Sequence, residues 1–397
     1  MYAYFDNAAT TAVSQSVADA MRPYFTEVYG NPSSLHSVGQ RAAEALVSAR
    51  ETVAKLLNAK PSEIYFTSGG SEADNQAILS AAHLGARKGK KHIISTAFEH
   101  HAVLHTLKKL EKEGFTVTLL SPHHDGVIKV EDVEAAIQDD TCLVTIMYAN
   151  NEVGTVQPIP EIGALCRSRK ILFHTDAVQA IGHIPVDVQA DQIDMLSLSA
   201  HKFHGPKGTG VLYCRNGIAL QSLIEGGAQE RSKRAGTENI PGIVGCATAM
   251  KEAIDHLEEN SKKVLEMRER LCDGILSSIP HSQLNGDRVH RVPGNLNFCF
   301  EGIEGESLLL WLDEKGIAAS SGSACTSGSL EPSHVLLSMG VPVEIAHGSL
   351  RLSLDATNTM EEVEHALDVL PSIVAYLRQM SPVWQRLQKG EEEYVIQ

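Results

Sequence analysis

The chain has 397 residues, 43% hydrophobic and 21% charged, with a formal net charge of −15 from 34 basic against 49 acidic residues. That length holds one large domain and a smaller one, and the acidic balance, without any Lys/Arg-rich cluster, argues against direct nucleic-acid binding. No signal-peptide pattern or membrane-length apolar run is read, and the seven cysteines are scattered without a C-x-x-C pair, which points to a reducing cytoplasm rather than to a disulfide framework or a zinc site.

From about residue 40 to 215, helical periods alternate with short apolar runs. Ala42, Leu46, Ala49, Val53 and Leu56 keep one helix face. EIYF (63–66) predicts a strand, and behind it FTSGGSEADNQAI (66–78) sets Gly69, Gly70 and Ser71 at the opening of a helix. Backbone amides at a helix N-terminus, the helix dipole and a small hydroxyl together suit a phosphate. HIIS (92–95) predicts the next strand, followed by TAFEHHAV (96–103), where either His100 or His101 can serve as an acid–base group; the doublet does not choose between them. LVTIMY (143–148) leads to Asn151, placed to bond a ring hydroxyl or a substrate carboxylate.

ILFHT (171–175) runs into HTDAVQA (174–180), which sends Asp176 out of a buried strand; a helix N-cap is the plainer role for it, and Gln179 can bond a ring hydroxyl. DMLSLS (194–199) precedes SAHKFHGPKG, where Lys202 stands beside Ser199 and His201 at a strand end, placed to form a Schiff base, and Lys207 reads as structural. GVLYC (210–214) closes the series. Runs apolar on both faces predict central strands of a mainly parallel α/β sheet, whose ligands sit at the carboxyl ends of the strands. Strand ends that offer a lysine, a carboxylate and a phosphate cradle fit pyridoxal phosphate, whose ring nitrogen needs a carboxylate to stay protonated.

Past about residue 260 the texture changes to a smaller α+β unit: a charged helix (262–279), strand-like GNLNFCF and GIAAS, then SSGSACTSGS (320–329). Cys325 there has no apolar neighbours to bury it, and Gly322 and Gly328 loosen the backbone, so its sulfur reads as one that has to travel. In AHGSLRLSLD (346–355), Arg351 lies on a strand with one polar face. It can grip a carboxylate in bidentate fashion, although a half-exposed arginine with a local salt bridge is the plainer reading. Thr359 and Glu362 form a capping-box pattern for a last helix lined by Met360, Val363, Leu367 and Leu370, which Pro371 is expected to kink or end.

YFDNAATT (4–11), GNPSSLHS (30–37), NNEVGTVQPI, HTDAVQA, SAHKFHGPKG, RAGTENIPGIVG (234–245), SSGSACTSGSLEPSHVL and AHGSLRLSL, in that order, resemble the NifS/IscS-type cysteine desulfurases of the class-V aminotransferase family. The long segment around Cys325 is similar to their group I branch. The resemblance implies the fold type I of pyridoxal 5′-phosphate enzymes (aspartate aminotransferase-like). Its large domain, here 15–260, has a mainly parallel seven-stranded sheet. A smaller α+β domain, 1–14 with 261–397, would carry a mobile cysteine loop at about 320–333.

It further implies that Lys202 is the Schiff-base lysine, that Asp176 faces the pyridine nitrogen, and that Gln179 and Asn151 hold the ring hydroxyl. His100 would stack on the ring and relay protons. Gly70, Ser71, Ser199 and His201 would hold the phosphate, and Thr237 would reach the phosphate of the neighbouring subunit in a homodimer. Arg351, with Asn151, would bind L-cysteine, and Cys325 would take its sulfur as a persulfide and pass it to a sulfur-acceptor or scaffold protein. No metal is implied, and the protein would be cytoplasmic. One departure is SGGSEADN, with Gly-Ser where the family commonly has Ala-Thr; the serine keeps the hydroxyl. A selenocysteine lyase, another lyase or aminotransferase of this fold, or an inactive cofactor-bound scaffold are the alternatives.

Overall fold

In the computed structural model, which describes residues 1–321 and 331–396, strands β1 (Ala3–Tyr4) to β8 (Gly210–Cys214) come first. Between them lie β2 (Ile64–Thr67), β3 (His92–Thr96), β4 (Thr116–Leu120), β5 (Thr141–Thr145), β6 (Leu172–Asp176) and β7 (Met195–Ser199). β2 to β8 form one seven-stranded sheet in the order β2-β8-β7-β6-β5-β3-β4. β3, β5, β7 and β8 are buried along their whole length, as expected of apolar runs covered by helices on both faces. The expected strands are present, and two features went unread. β4 is a half-exposed edge strand whose apolar residues do not form a continuous buried run. β8 runs antiparallel to both β7 and β2, while the other pairings are parallel. The reversal has a simple cause. Residues 200–209 connect β7 to β8, and a parallel return needs a longer crossover with a helix.

Helix Gly70–Ala86 lies on this sheet through small residues, Ala73, Ala77, Ala81 and Ala82, with Ile78 and Leu79 filling the remaining space. Helix Ser37–Leu56 packs against helix Ile240–Asp255 on the other side, burying Ala42, Ala49 and Val53.

A second sheet places β10 (Asn295–Phe300) between β9 (Ser282–Leu284) and β12 (Ser349–Ser353), all antiparallel, and β1 pairs in parallel with β11 (Ile317–Ala318). Ala3 and Phe5, from the start of the chain, share a core with Leu271, Phe298, Phe300, Leu350 and Leu370. Val335, Leu336 and Ile345 instead pack into the core of the large sheet. The capping box is present: Thr359 Oγ1 accepts the Glu362 amide at 3.3 Å, and Glu362 Oε2 accepts the Thr359 amide at 3.0 Å. Pro371 does not end the helix, which runs from Met360 to Met380. Leu370 before it and Ile373 and Val374 after it enter the same core, and that burial offsets an interior proline's cost of roughly 3 kcal/mol.

The edge strand β2 is pinned by a buried ion pair. Arg50 Nη2 and Nη1 donate to Glu230 Oε1 and Oε2 at 2.6 and 2.8 Å, and the Phe66 amide donates to Oε2 at 3.0 Å. Glu230→Ala leaves the guanidinium buried without its partner and is expected to cost about 3 kcal/mol of stability, read as a lower urea midpoint; an unchanged midpoint refutes the pin.

Candidate functional site

β2, β3, β5, β6 and β7 share one direction, so their carboxyl ends meet along one edge of the sheet. A cavity of about 340 Å³ opens there. Gly70, Ser71, Ser199 and His201 line its one end, and His100, Asn151, Asp176, Gln179, Lys202 and Arg351 the other. A larger cleft of about 630 Å³, lined by His204 and Asp355, carries none of the expected site residues.

The first end is a phosphate-sized hollow built by close backbone approach. Gly69 caps helix Gly70–Ala86 with φ 154° and contributes no side-chain hydrogen bond to the first-turn amides. A Cβ on Gly210 of β8 would lie 2.6 Å from the Gly69 Cα, so two glycines let the strand and the helix N-terminus meet. Thr10, Ser71, Ser199, His201 and Lys207 surround the hollow. Sequence reading left out Thr10, which bonds His201 Nδ1 at 3.1 Å. Lys207, expected to be structural, does bond the Thr11 carbonyl at 3.3 Å but also lines this hollow. Burial, then Lys202 and Lys207, push the His201 ring down to about 4, so it is neutral near pH 7.

Lys202 sits on a single 3₁₀ turn, Ala200–Lys202, directly after β7. Its Nζ donates to the carbonyls of Ala8 and Ala9 at 2.7 and 2.8 Å, and His183 Nε2 lies 3.1 Å from the Lys202 carbonyl oxygen. Gln179 Nε2 donates to the same Ala8 oxygen at 2.9 Å. Asp176 Oδ1 accepts the Val178 amide at 2.9 Å; it stabilises a turn, not the helix start that was its plainer reading. Burial raises the Asp176 carboxyl to about 6, against the pull of the Val178 amide and the Lys202 charge. The carboxylate is therefore present near neutral pH and gone in mild acid.

The structure separates the two histidines. His100 lines the cavity and caps helix His101–Lys112, its Nδ1 accepting the Ala102 amide at 3.1 Å. Burial, followed by the charges of Lys202 and nearby histidines, pushes it down to about 4. A neutral ring with Nδ1 so engaged carries its proton on Nε2 and is a hydrogen-bond donor. His101 stacks instead on His105 and lies 4.8 Å from the His334 ring.

Arg351 is buried, not half-exposed: Nη2 meets Asp6 Oδ1 at 2.8 Å and Nη1 the Asn151 carbonyl at 3.0 Å. Its Nε has no hydrogen-bond partner among the described residues. Thr237 is exposed and does not line the cavity, and Cys325 lies outside the described residues. The six described cysteines are buried and unpaired, and burial raises Cys142 to about 11 and Cys166 to about 12, which disfavours their thiolates. No described helix is long and apolar enough to cross a membrane. An amine, a buried carboxylate and an uncapped helix N-terminus, set around one cavity, fit a phosphorylated pyridine aldehyde.

Residues 3–366 match the aminotransferase class-V family. The cysteine desulfurase IscS of Clostridium botulinum (strain Hall) is 55% identical over 392 residues, 98% of each chain. A solved NifS-like protein superposes with a TM-score of 0.89 at 41% identity, covering 95% of this chain and 100% of that one. A structure described as SspA in complex with cysteine superposes at 0.80 and 38% identity, over 89% and 98% of the two chains.

His100 has a pH consequence. Its folded-state value near 4 lies below the ordinary 6.5, so the unfolded chain takes up more protons and stability is lost as pH falls from about 6.5 toward 4. His100→Gln is expected to flatten that part of the thermal-midpoint profile; an unaltered slope contradicts the assignment.

Proposed function

Because this chain belongs to the aminotransferase class-V family and is a cysteine desulfurase of the NifS/IscS type, we propose that it holds pyridoxal 5′-phosphate around Lys202 and passes the sulfur of L-cysteine to Cys325. The observation that carries this reading is the joint placement of Lys202, Asp176 and the Gly70–Ser71 helix start around one cavity. Gly70, Ser71, Ser199 and His201 would hold the phosphate, Gln179 and Asn151 the ring hydroxyl, and Asp176 the ring nitrogen. When bound, the cofactor supplies the electron sink that acidifies the substrate Cα–H and weakens the Cβ–S bond.

The chain's own residues divide the remaining work. Lys202 Nζ would hold the cofactor through its aldehyde, and the same amine is placed to take and return the substrate's α-proton. His100 Nε2–H is a donor toward the cavity; it stabilises a substrate thiolate by hydrogen bonding, a different part from that of a thiol base. Arg351, whose buried Nε has no partner among the described residues, binds the substrate carboxylate. The Cys325 thiolate attacks the substrate sulfur: an S–S bond forms, the Cβ–S bond breaks, and its electron pair and a proton end on carbon. Cysteine and one thiol thus become alanine and one persulfide, with no outside oxidant.

In this reading residues 15–260 form the cofactor domain, and 1–14 with 261–397 the smaller domain that brings Arg351 and Cys325. A homodimer would lend the exposed Thr237 to the neighbouring phosphate. The unpaired buried cysteines support a cytoplasmic setting, and a sulfur-acceptor protein takes the product onward.

The first test is the protein with L-cysteine and a thiol reductant, with sulfide and alanine quantified together; equal yields are expected, and bound cofactor without sulfide sinks the reading. Cys325→Ala should abolish persulfide and leave the cofactor's visible band, whereas sustained turnover by that variant removes Cys325 from its role. Arg351→Ala should raise KM for cysteine by roughly tenfold to a hundredfold, as expected for a lost charged hydrogen bond; an unchanged KM returns Arg351 to a structural pairing with Asp6.

A further inference from the structure

Asp74 is a buried carboxyl that none of these roles uses. It lies one helical turn beyond Ser71, is 1% exposed, and lines the same cavity. Its Oδ1 has no hydrogen-bond partner among the described residues, and the nearby Ser197 hydroxyl pulls the carboxyl toward its ionised form, against burial.

The basic group beside it offers no charge. His174 Nε2 is 3.6 Å from Asp74 Oδ1, but that ring is fully buried and pushed down to about 3. Its nitrogens already face hydroxyls, Nδ1 toward Thr145 Oγ1 at 2.8 Å and Nε2 toward Ser197 Oγ at 3.0 Å. Among the described residues the charged groups that act on Asp74 are both acids, Asp176 at the end of β6 and Glu99 three residues past β3. Glu99 is itself fully buried, with Oε1 receiving the Thr96 hydroxyl and the Met147 amide at 2.8 and 2.9 Å and Oε2 without a partner among the described residues.

The Lys202 charge favours ionised Asp176, which also has the Val178 amide. Asp74 has no comparable support, and neighbouring buried carboxyls resist ionising together.

We propose that Asp74 is a positioning residue that keeps its proton at neutral pH and uses it as a hydrogen-bond donor beside Asp176, so that Asp176 carries the cavity's negative charge by itself among the described residues. The proposal rests on reading Asp176 as the partner of the ring nitrogen. A neutral carboxyl has both a donor and an acceptor, so it can close the Ser197–His174 network without adding a second anion. Burial raises the Asp74 carboxyl well above the usual aspartate range, with Asp176 adding to the shift, in keeping with that role.

The test compares the full-length protein with Asp74→Asn and Asp74→Ala. An infrared difference spectrum at pH 7 between the parent and Asp74→Asn should contain the C=O stretch of a protonated carboxylic acid. Titration of cofactor-free protein with pyridoxal phosphate should find Asp74→Ala weakened by about tenfold, the scale of one lost buried hydrogen bond, and Asp74→Asn restored toward the parent, because the amide keeps a donor and stays neutral. A missing carboxylic-acid band, or an Asn variant as weak as the Ala variant, overturns the proposal, since both mean that the negative charge was needed. The infrared band stands even if Asp74→Ala fails to fold. Asp176→Asn separates the underlying reading: if it leaves cofactor affinity and the visible band unaltered, the ring-nitrogen role fails, while the infrared result still reports on Asp74.

Discussion

The ammonium of Lys202, held by the carbonyls of Ala8 and Ala9, ties the start of the chain across the carboxyl edge of the large sheet. Its charge also sets the electrostatics of the cavity. It lowers His100 and His201 and supports ionised Asp176. Burial is the larger cause of both neutral imidazoles and the lysine adds to it, while for Asp176, which burial raises, the lysine pulls toward the carboxylate. Burial shifts two further acids, Asp74 and Glu99, toward the neutral form.

That lysine is where it is because β7 turns back. The short connection 200–209 makes β8 antiparallel, keeps Lys202 within a few residues of the strand end, and brings Gly210 against Gly69. One topological choice thus positions both the amine and the open helix start at one cavity. The ion pair Arg50–Glu230 holds β2 in the same arrangement from the outer edge.

The rest of the site depends on contacts between distant parts of the chain. Arg351 reaches the cavity on β12 and is fixed by Asp6, 345 residues earlier, and by the Asn151 carbonyl. Ser333 donates to Glu152 Oε2 at 2.5 Å, and His334 Nε2 lies 3.0 Å from the Glu99 carbonyl oxygen. The chain beyond the undescribed segment therefore docks beside Asn151 and His100.

Much was legible in the sequence because it is local. Short runs such as HIIS and DMLSLS, with apolar residues on both faces, are consistent with central strands of a covered sheet. The side chains presented just past each strand end, Ser71, His100, Asp176 and Lys202, are set by the next few positions of the chain. The capping box of Thr359 and Glu362 lies within one helical turn. Tertiary structure decided what depends on partners far along the chain. It put His100 rather than His101 in the cavity lining, buried Arg351 against Asp6, supplied the Ala8 and Ala9 carbonyls, and carried the last helix through Pro371 because both flanks enter one core. It also put Asp74 among buried acids, with no cation paired to it among the described residues. Periodicity and spacing encode which face of an element is buried; which charge meets which other charge is settled when the elements pack, since desolvation and Coulomb energy depend on distance in space and not along the chain.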